Sequence, residues 1–243
     1  MKKIIAKVFL FVLFATAFIR VYLYANSIHY PTTGVVVMSD ITDAMLVKPN
    51  KNDIESFFDL NKNRWNGAMF KLVDISDVSF NRSQKAGIEA ENDWLSNEAK
   101  RIDKVNSFYS NIEQIFNDVS KTKTGKDNTS IYVPIAQELN LLSESKAENK
   151  IMLVYSDLMQ NTNEISFYNS ETLNSLSSKA DSVSKYFESQ VVLKNLNGIT
   201  IYFVYQPVNT ENDEEFKIVY AFFKKMFENK GAKVIATAGI DSK

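Results

Sequence analysis

Apolar residues recur along this chain in two patterns, which alternate from residue 33 to residue 240. The stretch "TGVVVMSD" (33–40) is a continuous run of β-branched and other apolar residues, which predicts a fully buried strand. In the following stretch (51–60), Ile54, Phe57 and Phe58 recur at spacings of three and four, which is typical of a helix. The same reading predicts further strands over 67–78, 82–88, 150–157, 198–207 and 232–240, and further helices over 92–119, 131–142, 171–188 and 213–231.

Buried strands that are separated by helices predict parallel pairing through crossover connections. We therefore expect an α/β fold with a doubly wound, mainly parallel sheet flanked by helices, of the Rossmann type. The segment 82–88 is expected to form a short antiparallel edge strand. There is no internal repeat and no long linker, so 33–243 is expected to be one domain.

The first 26 residues have a composition different from the rest of the chain. Lys2, Lys3 and Lys7 precede an uncharged apolar run over 8–19. This arrangement is typical of a signal peptide or a membrane anchor at 1–26, and it places the remaining chain outside the cytoplasm, in the periplasm or cell envelope. The sequence leaves cleavage and anchoring open, and an amphipathic helix docked on the domain is a third interpretation.

Composition and charge narrow the range of functions. The chain has 243 residues, 45% hydrophobic, with 28 basic and 29 acidic side chains, so it has no basic excess for binding nucleic acid. It has no cysteine, which excludes thiolate metal sites and a cysteine nucleophile. The single histidine, His29, lies outside the predicted domain, which argues against a catalytic triad or a multi-histidine zinc site.

Polar residues follow two of the buried strands at the point where each strand ends. Asp40 and Thr42 come after the apolar residues of the first strand, and Ser156 and Asp157 after those of the strand at 150–157. The segment 127–130 supplies hydroxyls at a helix start. Ligands of doubly wound sheets bind at the carboxyl ends of strands, so these segments are expected to converge. Carboxylate and hydroxyl oxygens suit a hard cation such as Mg²⁺. The alternative is structural, because Asp, Ser and Thr in these places are also common helix caps and turn formers.

These motifs resemble those of von Willebrand factor A-like domains, over Thr33 to Ile240. "DITDA" (40–44) resembles the Asp-x-Ser-x-Ser element of that family, "NTSIYVPI" (128–135) resembles its Thr-bearing helix start, and "LVYSDLM" (153–159) resembles its strand ending in Thr-Asp-Gly. The resemblance implies a metal-ion-dependent adhesion site that holds Mg²⁺, with Mn²⁺ and Ca²⁺ as the other candidates. The metal ligands that it implies are Asp40, Thr42, Thr129 and Asp157.

Three departures from the family pattern make the implied site degenerate. Ala44 stands where the family has a ligating serine, Leu158 where it has a glycine, and Pro134 where it has an alanine. Asp43 and Ser130 are the nearby side chains that could replace the lost hydroxyl.

The resemblance implies a protein-binding module and not an enzyme. We expect an exported or membrane-anchored domain whose protein partner completes the coordination of the metal with an acidic side chain. The N-terminal segment would hold the chain at the membrane if it is not cleaved. One alternative is a metal-dependent hydrolase or phosphotransferase using the same carboxylates, which lacks an evident general base. The other is a structural envelope protein whose site is vestigial.

Overall fold

The computed structural model describes residues 2–41, 46–75, 82–119 and 129–240. These residues form six strands and seven helices. In chain order they are α1 (Lys2–Ser27), β1 (Thr32–Asp40), α2 (Lys51–Phe58), β2 (Gly67–Ile75), β3 (Ser83–Ile88), α3 (Glu98–Val119), α4 (Tyr132–Glu144), β4 (Asn149–Tyr155), α5 (Ser170–Ser178), α6 (Ala180–Gln190), β5 (Ile199–Val204), α7 (Thr210–Glu228) and β6 (Lys233–Thr237).

The six strands form one sheet in the order β3-β2-β1-β4-β5-β6. All neighbouring strands run parallel except β2 and β3, which are antiparallel. This is a doubly wound order, and the direction of winding reverses between β1 and β4. The predicted α/β class, the mainly parallel sheet and the antiparallel edge strand are confirmed.

Alternate residues of each central strand belong to two separate hydrophobic cores. Val35 and Val37 pack with residues of α2 and α3, on what we call the α3 face. Val36 and Met38 pack with residues of α4, α5, α6 and α7, on what we call the α4 face. Because β1 is covered on both faces, its sequence is continuously apolar rather than alternating.

Two predicted helices differ from the observed ones. The helix predicted over 92–119 begins only at Glu98, because the side chain of Asn97 accepts a hydrogen bond from Lys100 N (3.0 Å) and caps it there. Trp94 and Leu95, expected on the buried face of that helix, lie in a turn and are 57% and 70% exposed. The helix predicted over 171–188 is two helices, α5 and α6, with a break at Lys179.

The apolar N-terminal segment is helical over Lys2–Ser27. Most of the side chains described along it are exposed, among them Phe11 (75%) and Phe18 (76%). Within the part of the chain that the structure describes, no helix is long and apolar enough to cross a membrane.

Candidate functional site

The ends of β1 and β4 are joined by a buried hydrogen bond at the point where strand order reverses. Asp40, the last residue of β1, is 4% exposed, and Ser156, directly after β4, is fully buried. The hydroxyl of Ser156 donates to Asp40 Oδ2 (3.0 Å) and accepts from Leu158 N (2.9 Å). Asp40 is therefore held between its own strand and the turn that follows the neighbouring strand.

That turn, 156–161, has an uncommon backbone conformation at its centre. Asp157 is half-buried, and its Oδ1 accepts a hydrogen bond from Met159 N (2.9 Å). Leu158 has a φ of +66°, in the left-handed region that favours glycine, and its side chain is fully buried. The von Willebrand factor A-like pattern has a glycine at this position. Burial of the leucine on the α4 face offsets the backbone cost of about 1 kcal/mol.

The start of α4 is joined to the same turn. Thr129 and Asn161 exchange two backbone hydrogen bonds, Thr129 N to Asn161 O (2.8 Å) and Asn161 N to Thr129 O (2.9 Å). The side-chain oxygen of Gln160, which is 1% exposed, accepts from Ile131 N (2.7 Å) and Tyr132 N (3.1 Å). Gln160 therefore caps α4 from another segment, since Ile131 makes no side-chain capping bond of its own.

The structure thus joins three of the predicted site residues through one hydrogen-bonded network at the rim formed by the strand ends. We call this network the β1–β4 rim, and it contains Asp40, the turn 156–161 and the segment 129–132. Asp40, Asp157 and Thr129 belong to it. Thr42 and Asp43 lie outside the described residues, and so does the loop 120–128. Whether the rim binds a metal stays a prediction.

Three further polar residues of the rim were identified from the sequence only indirectly or not at all. Ser130 was named only as a replacement ligand; it is 1% exposed, and its hydroxyl has no hydrogen-bond partner among the residues that the structure describes. Leaving a buried hydroxyl unpaired costs about 1–3 kcal/mol, so this oxygen suits an additional ligand. Ser156 was noted only as part of a strand ending, and Gln160 follows no local motif that could have identified it.

The donor set of the rim is made of oxygens. It offers the carboxylates of Asp40 and Asp157 and the hydroxyls of Thr129 and Ser130, whereas His29 pairs elsewhere, with Glu148 (2.6 Å). Among the described residues, no group of three or more His, Cys, Asp or Glu side chains could hold a metal ion. A cation at the rim would therefore depend on two carboxylates together with hydroxyls and water, a set that fits Mg²⁺.

A second buried carboxylate lies one strand away, on the α3 face. Asp74 of β2 is opposite Ser39 in the β1–β2 pairing and is 2% exposed. Neither of its carboxylate oxygens has a hydrogen-bond partner in the described ranges of the chain. Burial raises the pKa of Asp74, and the charge of Arg82 offsets this only in part. Asp74 therefore favours its neutral form more than an exposed aspartate does.

Comparisons with known proteins add little to this geometry. No protein-family model matches the chain, and no curated protein matches it. Among solved structures, the chain is similar to a point mutant of the PilB minor pilin from Streptococcus sanguinis, with 11% sequence identity and a TM-score of 0.45. The alignment covers 89% of this chain and 59% of the pilin chain, so the chain spans about three fifths of that protein.

Proposed function

We propose that this chain is an exported or membrane-anchored protein-binding module. Its domain is of the von Willebrand factor A-like kind, and its degenerate adhesion site holds a divalent cation, Mg²⁺ first, with Mn²⁺ and Ca²⁺ as the other candidates. One observation carries the proposal. The buried carboxylate of Asp40 is bonded to the turn after β4, and that turn is bonded to the segment that begins α4.

The residues of the rim have distinct roles in this proposal. Asp40 and Asp157 bind the cation directly or through water, and Thr42 and Thr129 orient them. Ser130 supports this arrangement because its buried hydroxyl lacks a partner within the described part of the chain and could take the place that Ala44 leaves empty. An acidic side chain of a protein partner completes the coordination.

A cation also has an electrostatic reason to bind at the rim. Asp40 is almost fully buried and Asp157 half-buried, two residues of like charge in one network. Like charges in a poorly solvated site repel one another, and a bound cation removes that repulsion. The single histidine of the chain, His29, pairs with Glu148 and not with the rim, which favours binding over catalysis.

The N-terminal segment supports export. Its lysines precede an apolar run, and the helix α1 exposes that run to its surroundings. We expect the protein to be recovered from the cell envelope or the medium. The mass of the recovered chain distinguishes cleavage, which would remove the first 20 to 30 residues, from anchoring, which keeps the full length.

Metal-dependent stabilisation tests the proposal. The full chain should gain thermal stability when Mg²⁺, Mn²⁺ or Ca²⁺ is added, because a ligand that binds only the folded state stabilises it. Asp40→Asn should abolish the gain, and Asp103→Asn, which changes an exposed aspartate of α3, should retain it.

An equal metal response in the two variants would refute the site. No response in the unaltered chain would favour the structural protein with a vestigial site. Mg²⁺-dependent hydrolysis of a generic phosphoester that is lost in Asp40→Asn would favour the hydrolase alternative.

A further inference from the structure

One strip of the sheet is left uncovered on the α4 face, over β2 and β3. Met69 of β2 is 45% exposed on this side, whereas the next residue, Phe70, is 1% exposed on the α3 face. In β3, Lys85 and Gly87 are exposed, and the alternate residue Ala86 packs against the α3 core. Parallel strands are normally covered on both faces, so this strip is unusual for β2.

A hollow of about 440 Å³ lies between this strip and α4. Its wall on the strand side includes Met69 and Gly87, and its wall on the helix side includes Leu141, which is 57% exposed. The volume lies within the range of about 300–1,000 Å³ that is common for binding pockets, and such pockets are mainly apolar. The hollow is therefore large enough for one or two apolar side chains of a partner.

The hollow is lined by two lysines, and only one of them is ion-paired among the residues that the structure describes. Lys71 on its floor is paired with Glu138 of α4, at 2.6 and 2.7 Å from the two carboxylate oxygens. Lys85 lies directly opposite Lys71 in the β2–β3 pairing, and it makes no ion pair with the residues that the structure describes. A ligand of this surface should therefore combine an apolar group with a negative charge.

The outer edge of β3 explains how such a ligand would be held. β3 is the last strand of the sheet and pairs only with β2 among the described strands. Its outward backbone groups can accept an added strand, which would lie about 4.8 Å away. Because Gly87 has no side chain and is opposite Met69, an apolar side chain of the added strand can pass over it into the hollow.

We propose that the edge of β3 and the adjoining hollow bind an extended peptide segment of a partner protein. An apolar side chain of that segment lies opposite Gly87 and enters the hollow, and an acidic side chain two residues away lies opposite Lys85. The alternation of side chains along a strand sets this spacing, since both must point to the α4 face.

The edge of β3 is less suited to pairing with a second copy of this chain than to binding an acidic peptide. Antiparallel pairing of two β3 strands around their centres would bring Lys85 close to its own counterpart, and like charges at such positions are destabilising. A lysine on an exposed edge is a common device against self-association. The charge of the edge therefore favours an acidic partner over self-pairing.

This surface is separate from the β1–β4 rim. The residue of β1 in the hollow that lies nearest to the rim is Val36, four residues before Asp40, or about 13 Å along the strand. Peptide binding at β3 should therefore require neither Mg²⁺ nor Asp40. A failure of peptide binding at β3 can then be distinguished from a failure of cation binding at the rim.

Fluorescence anisotropy of a labelled, end-blocked peptide, Thr-Leu-Thr-Glu-Thr-Leu-Thr, tests the proposal on the full chain. Its sequence reads the same in both directions, so it suits parallel and antiparallel addition. We expect saturable binding, weakened about tenfold by Gly87→Val, whose side chain would occupy the gap over the strand. That variant should fold, because a Cβ at Gly87 would meet only the carbonyl oxygen of Ala68, at 3.6 Å.

Reversing the charge of Lys85 and the charge of the peptide together gives a matched control. Lys85→Glu should lose binding of the glutamate peptide and gain binding of the same peptide with lysine in place of glutamate. Asp40→Asn should bind the glutamate peptide as the unaltered chain does. Absence of binding, unchanged binding by folded Gly87→Val, or equal binding of a backbone N-methylated peptide would overturn the proposal. Loss of binding in Asp40→Asn would also overturn it, because the peptide would then lie at the rim.

Discussion

The buried guanidinium of Arg101 joins α3 to the segments that flank β2 and β3. Its side chain is completely buried, and it donates to the backbone oxygens of Arg64 (2.5 Å), Glu89 (2.8 Å) and Asn66 (2.5 Å). It also contacts the carboxylate of Glu91 (3.3 Å). These acceptors come from the segments before β2 and after β3, so one side chain fixes the position of the edge strand.

Replacement of Arg101 by methionine keeps the aliphatic volume and removes every one of these bonds. Three backbone oxygens would lose a charged donor, and breaking a buried charged network typically costs about 3–5 kcal/mol. A chain of this size loses about 2–4 °C for each kcal/mol, so we expect the melting temperature to fall by roughly 10 °C.

Circular dichroism melting and urea unfolding measure this loss directly. Arg64→Gln is the control, since it removes only the exposed ion pair with Glu98 and should cost less than about 1 kcal/mol. If Arg101→Met melted within the range of that control, the buried guanidinium would not hold the edge strand in place, and our description of this contact would be wrong.

Two other predictions concern buried polar groups near the rim. Because burial raises the pKa of Asp74, the folded chain binds this proton more tightly than the unfolded chain, and stability falls as the pH rises above about 4 until the native carboxyl ionises. Asp74→Asn should therefore gain stability relative to the unaltered chain as the pH increases, in melting curves taken from pH 4 to 8; a difference independent of pH would contradict this. Gln160→Ala should cost about 1–3 kcal/mol by uncapping α4, and amide hydrogen exchange at Ile131 and Tyr132 should accelerate more than exchange in α7. If Gln160→Ala accelerated exchange equally in α4 and α7, Gln160 would not be the cap of α4.

Most of the sheet could be predicted from the sequence because its central strands are buried on both faces. The apolar runs that end at Asp40 and Tyr155 have no other stable location than the middle of an α/β sheet. The alternation of Met69 and Lys71 with Phe70 likewise indicates a strand whose two faces differ, as the structure shows. The proximity of Asp40 to Ser156 followed from the rule that parallel strands end at one rim.

The long-range polar contacts could not be predicted in the same way. Arg101 reaches backbone oxygens that lie 12 to 37 residues away, and Gln160 caps a helix that begins 28 residues earlier. No local pattern marks such contacts, because a backbone oxygen has the same chemistry at every residue. The break at Lys179 was missed for a related reason, since 171–188 keeps a helical apolar spacing through it.

Titration with Mn²⁺, followed by the loss of the electron paramagnetic resonance signal of the free ion, measures cation binding at the β1–β4 rim without relying on stability. We predict one bound ion per chain, displaced by Mg²⁺, and no bound ion in the double variant Asp40→Asn, Asp157→Asn. The same stoichiometry in the double variant, or no binding by the unaltered chain at millimolar Mn²⁺, would contradict a cation site at the β1–β4 rim.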